Sequence, residues 1–322
     1  METKKKNHLP LSPSSPLEVS VIIPAYTEER WQDLVDSVEG VQKQTRRPKE
    51  IILVIDHNPK LLALAKNTFK NVMILENAED RGVSGSRNTG IKAATGEIIA
   101  FVDDDAVAAP DWLEKLIPLY HDPRVIGVGG TIVASWLDTR PDWFPREFDW
   151  VVGCTYLGLP ETISPVRNLI GCNMSYRKAA FETVGHFRSG IGRIGKHPVG
   201  CDETEFCIRL SQLMEDKVFL YQPAARVYHR VSAARRSWRY FQARCYAEGI
   251  SKARISRMVG KRDSLSTEQA YTISTLPRGI LRGLKDGFSR RNLTGFARAG
   301  AIIAGLAITV AGYLFGSLTQ KG

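Results

Sequence analysis

A doubly wound α/β domain with a mostly parallel sheet is the architecture this sequence predicts. Short continuous apolar runs at 19–23, 51–55, 72–75 and 98–102 alternate with segments whose apolar residues recur at helical spacing. Carboxylates stand just past the second and fourth runs, at Asp56 and Asp103-Asp104-Asp105, where such a sheet presents its ligands. A length of 322 residues with 43% apolar content suits one large domain with an appendage.

The elements follow in order. The run 19–23 is β-branched and ends at Pro24, so a buried strand gives way to a turn at Pro24-Ala25-Tyr26. Trp31, Leu34, Val35, Val38 and Val41 then form one helical face, with Glu28, Glu29, Asp33 and Lys43 opposite. Pro59 opens a second helix carrying Leu61, Leu62, Leu64, Ala65 and Phe69. Helices are expected over 84–94, 110–120, 178–184 and 203–213, and strands over 125–134, 169–176, 218–221 and 226–229. Residues 136–168 mix six large aromatics with Pro and Gly and read as an irregular lid or acceptor wall. Residues 188–200 are Gly-rich and basic, the composition of a mobile loop. Residues 1–17 hold three lysines and three prolines and read as a disordered tail rather than a signal peptide.

Charge and cysteine usage narrow the class. Five cysteines without a C-x-x-C pair argue against a disulfide framework or zinc site and suit a reducing compartment. The net charge of +10 is concentrated: residues 226–291 hold sixteen Lys and Arg against four acids, a net +12. Just beyond, residues 299–318 form an uncharged Gly- and Ala-rich stretch of twenty, the length of a membrane helix or of a surface-lying one. Arg290, Arg291 and Arg298 precede it and only Lys321 follows, so the positive-inside rule puts the preceding bulk on the cytoplasmic side of a cell membrane. Basic residues beside an apolar anchor fit an anionic leaflet better than nucleic acid, and no nucleic-acid motif appears. The expected organisation is a tail (1–17), an α/β domain (18–230), a basic helical membrane-proximal segment (231–298) and a membrane helix (299–318).

Three adjacent carboxylates at a strand end repel one another unless a cation neutralises them. Mg²⁺ and Mn²⁺ prefer oxygen ligands and bind through one or two carboxylates plus substrate phosphates. A metal-dependent enzyme with a phosphorylated donor is one reading; a solvated acidic turn is the other.

Five blocks then carry a resemblance over about 18–230: VSVIIPAYTEE, Asp56, RGVSGSRNTGIKAATGEIIAFVDDDA, GCNMSYRKAAFETVGHF and GCDETEFCIRL. In this order they resemble a family 2 glycosyltransferase of the GT-A fold. The resemblance implies inverting transfer from a nucleotide-diphosphate sugar, aided by Mn²⁺ or Mg²⁺. It implies that Pro24, Ala25, Tyr26 and Glu28 line the nucleoside pocket and that Asp56 reads the base, as uracil in similar enzymes. His57 stands where relatives often carry a second Asp. Arg87 is expected at the diphosphate or sugar, and Asn88 at the donor or as a backbone cap. Asp103 and Asp104 are expected on the donor side; Asp105, with Asp103 and His229, on the metal. The acidic pair opening the helix after the mobile loop supplies the base: relatives commonly read Glu-Asp where this chain has Asp202-Glu203, and alignment through Thr204-Glu205-Phe206 puts Glu203 in the base position with Asp202 beside it. The stretches 54–59, 148–153 and 200–210 are similar to enzymes that move glucuronosyl units onto glucosyl-dolichyl phosphate. The implied partners are a UDP-sugar, a lipid-linked glycan or polysaccharide acceptor, and a membrane. Two rival classes stand beside this one. A sugar nucleotidyltransferase would carry a Gly-rich phosphate loop after the first strand, where this chain reads Pro24-Ala25-Tyr26-Thr27-Glu28. A non-catalytic scaffold of the same fold has no need of Asp103, Asp105 and Glu203.

Overall fold

A computed structural model describes residues 17–191, 200–260, 270–290 and 293–319. The expected tail, apart from Leu17, and most of the expected mobile loop (192–199) lie outside them. The strands form one sheet in the order β3-β2-β1-β4-β8-β6-β9-β5, with β7 on β9. The first half is the expected alternation: β1 (Val19–Ala25), α1 (Trp31–Gln42), β2 (Glu50–Ile55), α2 (Pro59–Thr68), β3 (Met73–Glu76), α3 (Val83–Ala93) and β4 (Ile98–Val102). Here β1 pairs in parallel with both β2 and β4, and β2 with β3. Their carboxyl ends open a crevice where the chain leaves β1 and β4, the usual ligand position in a sheet of this kind.

The parallel pattern does not run through the whole sheet. β5 (Ala106–Ala108), α4 (Trp112–Leu116), β6 (Val125–Trp136), β7 (Ser164–Val166) and β8 (Asn173–Arg177) follow. β8 lies antiparallel between β4 and β6, and β5 and β7 pair antiparallel with β9 (Val218–Val231), whereas β6 and β9 are parallel. The two short strands expected at 218–221 and 226–229 are this one strand, which absorbs Pro223 at a register shift opposite Gly130/Thr131. The helix expected over 110–120 ends as α4 at Leu116, with a 3-10 turn from Ile117 to His121, because Pro118 has no N–H to donate to Glu114.

Alternation along β4 divides the core. Ile98, Ala100 and Val102 face Leu34, Val38, Trp112 and Leu113, whereas Ile99 and Phe101 face Met174, Tyr176, Phe187 and Phe206. Asn173, fully buried, ties the second half together: it accepts from Trp112 Nε1 (2.8 Å) and donates to Thr131 O and Ala225 O (3.0 Å each).

After α5 (Lys178–Val184), α6 (Asp202–Leu213) and β9, the chain ends in helices: α7 (Trp238–Val259), α8 (Leu276–Arg290, led by a π-helical turn from Tyr271) and α9 (Leu293–Thr319). Among the described residues α9 alone is long and apolar enough to cross a membrane; it exceeds the expected 299–318 at its amino end. It does not stand away from the domain. Glycines let it press against α7 and the 3-10 segment Arg146–Val152: a Cβ on Gly312 would lie 2.2 Å from Tyr246 O, and one on Gly305 2.5 Å from the Phe148 ring. Arg257 of α7 donates to the carbonyls of Gly316 and Ser317 at 2.7 Å each. The outer surface of this helical layer is apolar, with Ile273, Leu281, Phe288, Leu293, Ile303, Leu314 and Leu318 all more than half exposed.

Gly312→Leu is expected to destabilise the α7–α9 packing by about 1–3 kcal/mol, seen as a lower midpoint of thermal unfolding. Gly300→Leu, where a side chain meets open space, is expected to leave the midpoint unchanged or raise it, since Gly is a poor helix former.

Candidate active site

The carboxylate turn is built by the strands around it. Asp103 O accepts from Ser37 Oγ (3.1 Å) on α1 and from Ala106 N (3.1 Å), which closes a tight turn into β5. Asp105 O accepts from Arg230 N (2.8 Å) on β9. The β5–β9 register sets Ala106 opposite His229, so His229 arrives beside Asp105 with Nε2 3.2 Å from Oδ1. Its Nδ1 lies 3.7 Å from Cys154 Sγ.

Three guanidinium groups from three separate elements neutralise the turn. Arg30, just before α1, pairs with Asp105 Oδ2 and with Asp104 Oδ1 (3.2 Å). Arg235, after β9, reaches Asp105 Oδ2 at 3.5 Å and His229 Nε2 at 3.3 Å. Arg87 of α3, almost fully buried, contacts Asp103 (3.4 Å), Asp202 (3.0 Å) and Gly171 O (3.2 Å). The neighbouring acids respond in opposite directions. Burial pushes the Asp104 carboxyl up to about 8 against the pull of Arg30, and its Oδ2 is buried without a partner. Burial also works to raise Asp105, but His229, Arg30 and Arg235 outweigh it and hold Asp105 well below the usual carboxylate range. The surroundings therefore favour the anion at Asp105 and the neutral form at Asp104.

The acidic pair faces this turn from α6. Cys201 caps the helix in a left-handed conformation (φ 98°). Asp202 is buried, and its Oδ2 accepts from Arg87 and from Ser84 Oγ (3.1 Å). Glu203 is half-buried and lines the cleft. Burial raises its carboxyl well above the ordinary value, and Asp202 adds to the effect.

At the carboxyl end of β2, Asp56 is held by Gly82 N (2.9 Å), Asn77 Nδ2 (2.7 Å) and His57 Nδ1 (2.9 Å). Gly82 has φ 126°, which a side chain would strain, and this lets the loop before α3 fold onto the Asp56 carboxylate. Pro24, Ala25, Tyr26, Asp56, Arg87, Asp103, Asp104, Asp105, Asp202, Glu203 and His229 all line one cleft of about 1330 Å³. One expected residue, Glu28, does not reach it, and Asn88 takes the second of its two expected roles. Glu28 turns outward and accepts from Asn58 Nδ2 at 2.7 Å, which lowers its pKa, while Glu29 and Arg30 take the lining positions. Asn88 exchanges two hydrogen bonds with the Phe187 backbone (2.8 and 3.1 Å) and so acts as a backbone cap. Arg30 was not among the expected site residues. Its signal is that it stands as a lone cation among Glu28, Glu29, Asp33, Asp36 and Glu39. Among the described residues no three His, Cys, Asp or Glu side chains converge as a metal-ligand set; Asp105 and His229 meet, but Asp103 is drawn toward Arg87.

A half-Rossmann sheet feeding a second, mixed half around an acidic crevice is the GT-A plan of nucleotide-sugar transferases. A mannosyltransferase from Pyrobaculum calidifontis, solved with GDP-Man and Mn²⁺, aligns over 99% of this chain and 92% of its own, with a TM-score of 0.58 and 18% identity. GalNAc-T7, solved with UDP, GalNAc and Mn²⁺, aligns over 76% of this chain and 50% of its own, with a TM-score of 0.53 and 16% identity. The model of glycosyl transferase family 2 matches residues 20–185. A glucosyl-dolichyl phosphate glucuronosyltransferase from Haloferax volcanii is 33% identical over 95% of this chain and 98% of that protein. The succinoglycan biosynthesis protein ExoM of Rhizobium meliloti is 23% identical over 86% and 84%. The chain belongs to glycosyl transferase family 2 and is a transferase enzyme.

Removing the Arg87 guanidinium strands a buried carboxylate. Arg87→Leu is expected to cost roughly 3–5 kcal/mol of stability in urea unfolding, and Asp202→Asn in that background is expected to recover part of the loss.

Proposed function

We propose that this protein transfers a sugar, with inversion, from a nucleoside-diphosphate sugar to a lipid-linked glycan at a membrane. The observation that carries the reading is the convergence of the Asp105–His229 pair and the half-buried Glu203 in one cleft beside the carboxyl ends of β1, β2 and β4. Pro24, Ala25, Tyr26 and Asp56 form the nucleoside end; a UDP-sugar is the donor we favour, and the relative from H. volcanii makes glucuronate a specific candidate sugar.

A divalent cation fits the donor set. An ionised carboxylate oxygen and an imidazole nitrogen lie 3.2 Å apart, and a cation, the Arg235 guanidinium, already straddles them. Asp105 and His229 would hold Mn²⁺ or Mg²⁺, with Asp103 the nearest further carboxylate and diphosphate oxygens filling the shell. The ion would supply charge neutralisation of the departing diphosphate. Arg87 and Arg235 supply fixed positive charge on the same side. On the opposite side Glu203 takes the proton of the acceptor hydroxyl as its oxygen bonds to the anomeric carbon and the bond to the diphosphate breaks. Asp202, locked to Arg87 and Ser84, orients the start of α6 and positions Glu203.

Support for membrane attachment comes from the exposed apolar residues of α8 and α9 and from the basic segment before them. The catalytic domain would lie on the cytoplasmic side, by the charge asymmetry around α9.

A thermal-shift panel of UDP, GDP and their sugars, with and without Mn²⁺, tests the donor reading. A metal-dependent rise with one nucleotide, lost in Asp105→Ala, is expected; the absence of any nucleotide shift would favour the scaffold alternative. In a transfer assay Glu203→Gln is expected to keep donor binding and lose at least ~10²-fold in rate. Because Glu203 must be ionised to accept a proton and its pKa is raised, the wild-type rate should climb with pH through a value well above 4.5. An acid limb at the ordinary Glu value would move the base elsewhere.

A further inference from the structure

The cleft is larger than a donor needs. Drug-sized ligand pockets run to about 300–1,000 Å³, and this one is about 1330 Å³. Its remainder extends from the acid pair into the C-terminal helices, away from the nucleoside end. One wall of this arm is α7, where Tyr240, Arg244, Glu248 and Lys252 line the cleft at a spacing of four and so share a helix face. The adjoining wall is α9, packed directly on α7, where Leu306, Val310 and Tyr313 line the cleft at the same kind of spacing, with Leu276 of α8 also lining it. The arm begins at the acid pair itself: Cys201, the residue before Asp202, has its Sγ 4.0 Å from both carboxylate oxygens of Glu248. Lys252 is anchored by Glu248 at 3.3 Å, which leaves the ladder a net +1.

Cations on one side and an apolar stripe on the other, opening beside helices with an apolar outer surface, match an amphiphile whose anionic group lies between a sugar and a hydrocarbon chain. We infer that the Arg244–Lys252 face of α7 and the Leu306–Tyr313 face of α9 form the acceptor arm of the site, binding a prenyl-phosphate-linked sugar. Arg244 and Lys252 take the phosphate, Leu306, Val310 and Tyr313 take the first prenyl units, and the sugar hydroxyl reaches Glu203. A free glycan or a peptide would use neither the apolar stripe nor its continuity with α9. The inference rests on the proposed lipid-linked acceptor and names where this chain holds it. Arg244 and Lys252 are specificity-determining residues in this arrangement, and α9 is part of the substrate site as well as a membrane contact.

The test uses the full chain in detergent micelles and three probes: citronellyl phosphate, citronellol and inorganic phosphate. Citronellyl phosphate is expected to bind about ten-fold or more tightly than either of the others, since each lacks one half of the recognition. The double variant Arg244→Gln/Lys252→Gln is expected to weaken citronellyl phosphate about ten-fold and to keep the nucleotide thermal shift. Val310→Trp, a change at a half-exposed position, is expected to weaken citronellyl phosphate while leaving inorganic phosphate unchanged. Equal affinities for citronellyl phosphate and inorganic phosphate, or unchanged citronellyl phosphate binding in both variants, would overturn the arm. Absence of a nucleotide shift alongside tight citronellyl phosphate binding would overturn the donor reading and leave the arm standing.

Discussion

Three consecutive carboxylates are held in a largely buried turn between β4 and β5, and the surrounding architecture answers to that. An isolated buried charge costs several kcal/mol even after relaxation, so the turn is tenable only when its countercharges are assembled. They come from far apart in the chain: Arg30 before α1, Arg87 on α3, and Arg235 after β9. The β5–β9 pairing delivers His229 and, through Arg230 N, fixes Asp105. The charge cluster is thereby coupled to closure of the whole sheet.

Within the cluster, adjacency produces division of labour. Asp104 and Asp105 are neighbours in sequence and equally buried, yet one is pushed toward the neutral form and the other held ionised. The difference is in what each faces: Asp105 meets His229 and two guanidiniums, whereas Asp104 keeps an oxygen without any partner. Arg87 links this cluster to the acid pair. By contacting both Asp103 and Asp202 it ties the carboxylate turn, built on strand ends, to α6, so the two acidic walls of the crevice are held in one geometry.

The C-terminal helices join the site through close packing rather than through charge. Gly249, Gly305, Gly312 and Gly316 remove side-chain bulk where α7, α9 and the Phe148–Phe241 aromatics meet. That closeness lets Leu306, Val310 and Tyr313 of α9 line the cleft while Ile303, Leu314 and Leu318, beside them on the helix, stay exposed. An apolar helix of this length is usually read as an independent anchor; here it also lines the cleft that holds the carboxylate turn.

The sequence alone determined the first half of the sheet, because its strands are short continuous apolar runs and α1 and α2 carry a helical periodicity behind an acidic or Pro start. It also marked the carboxylates at the strand ends, since chemistry in such a sheet collects there, and the motif order marked the family. Tertiary structure decided the rest. The antiparallel insertion of β8 and the single long β9 depend on pairings between segments tens of residues apart, which no local pattern encodes. The turning out of Glu28, the capping role of Asn88 and the entry of Arg30 depend on which way a side chain points once neighbours are packed. The different ionisation of Asp104 and Asp105, and the place of α9 against the cleft, exist only through contacts across the fold, because field strength and burial are properties of an assembled environment and not of residue type.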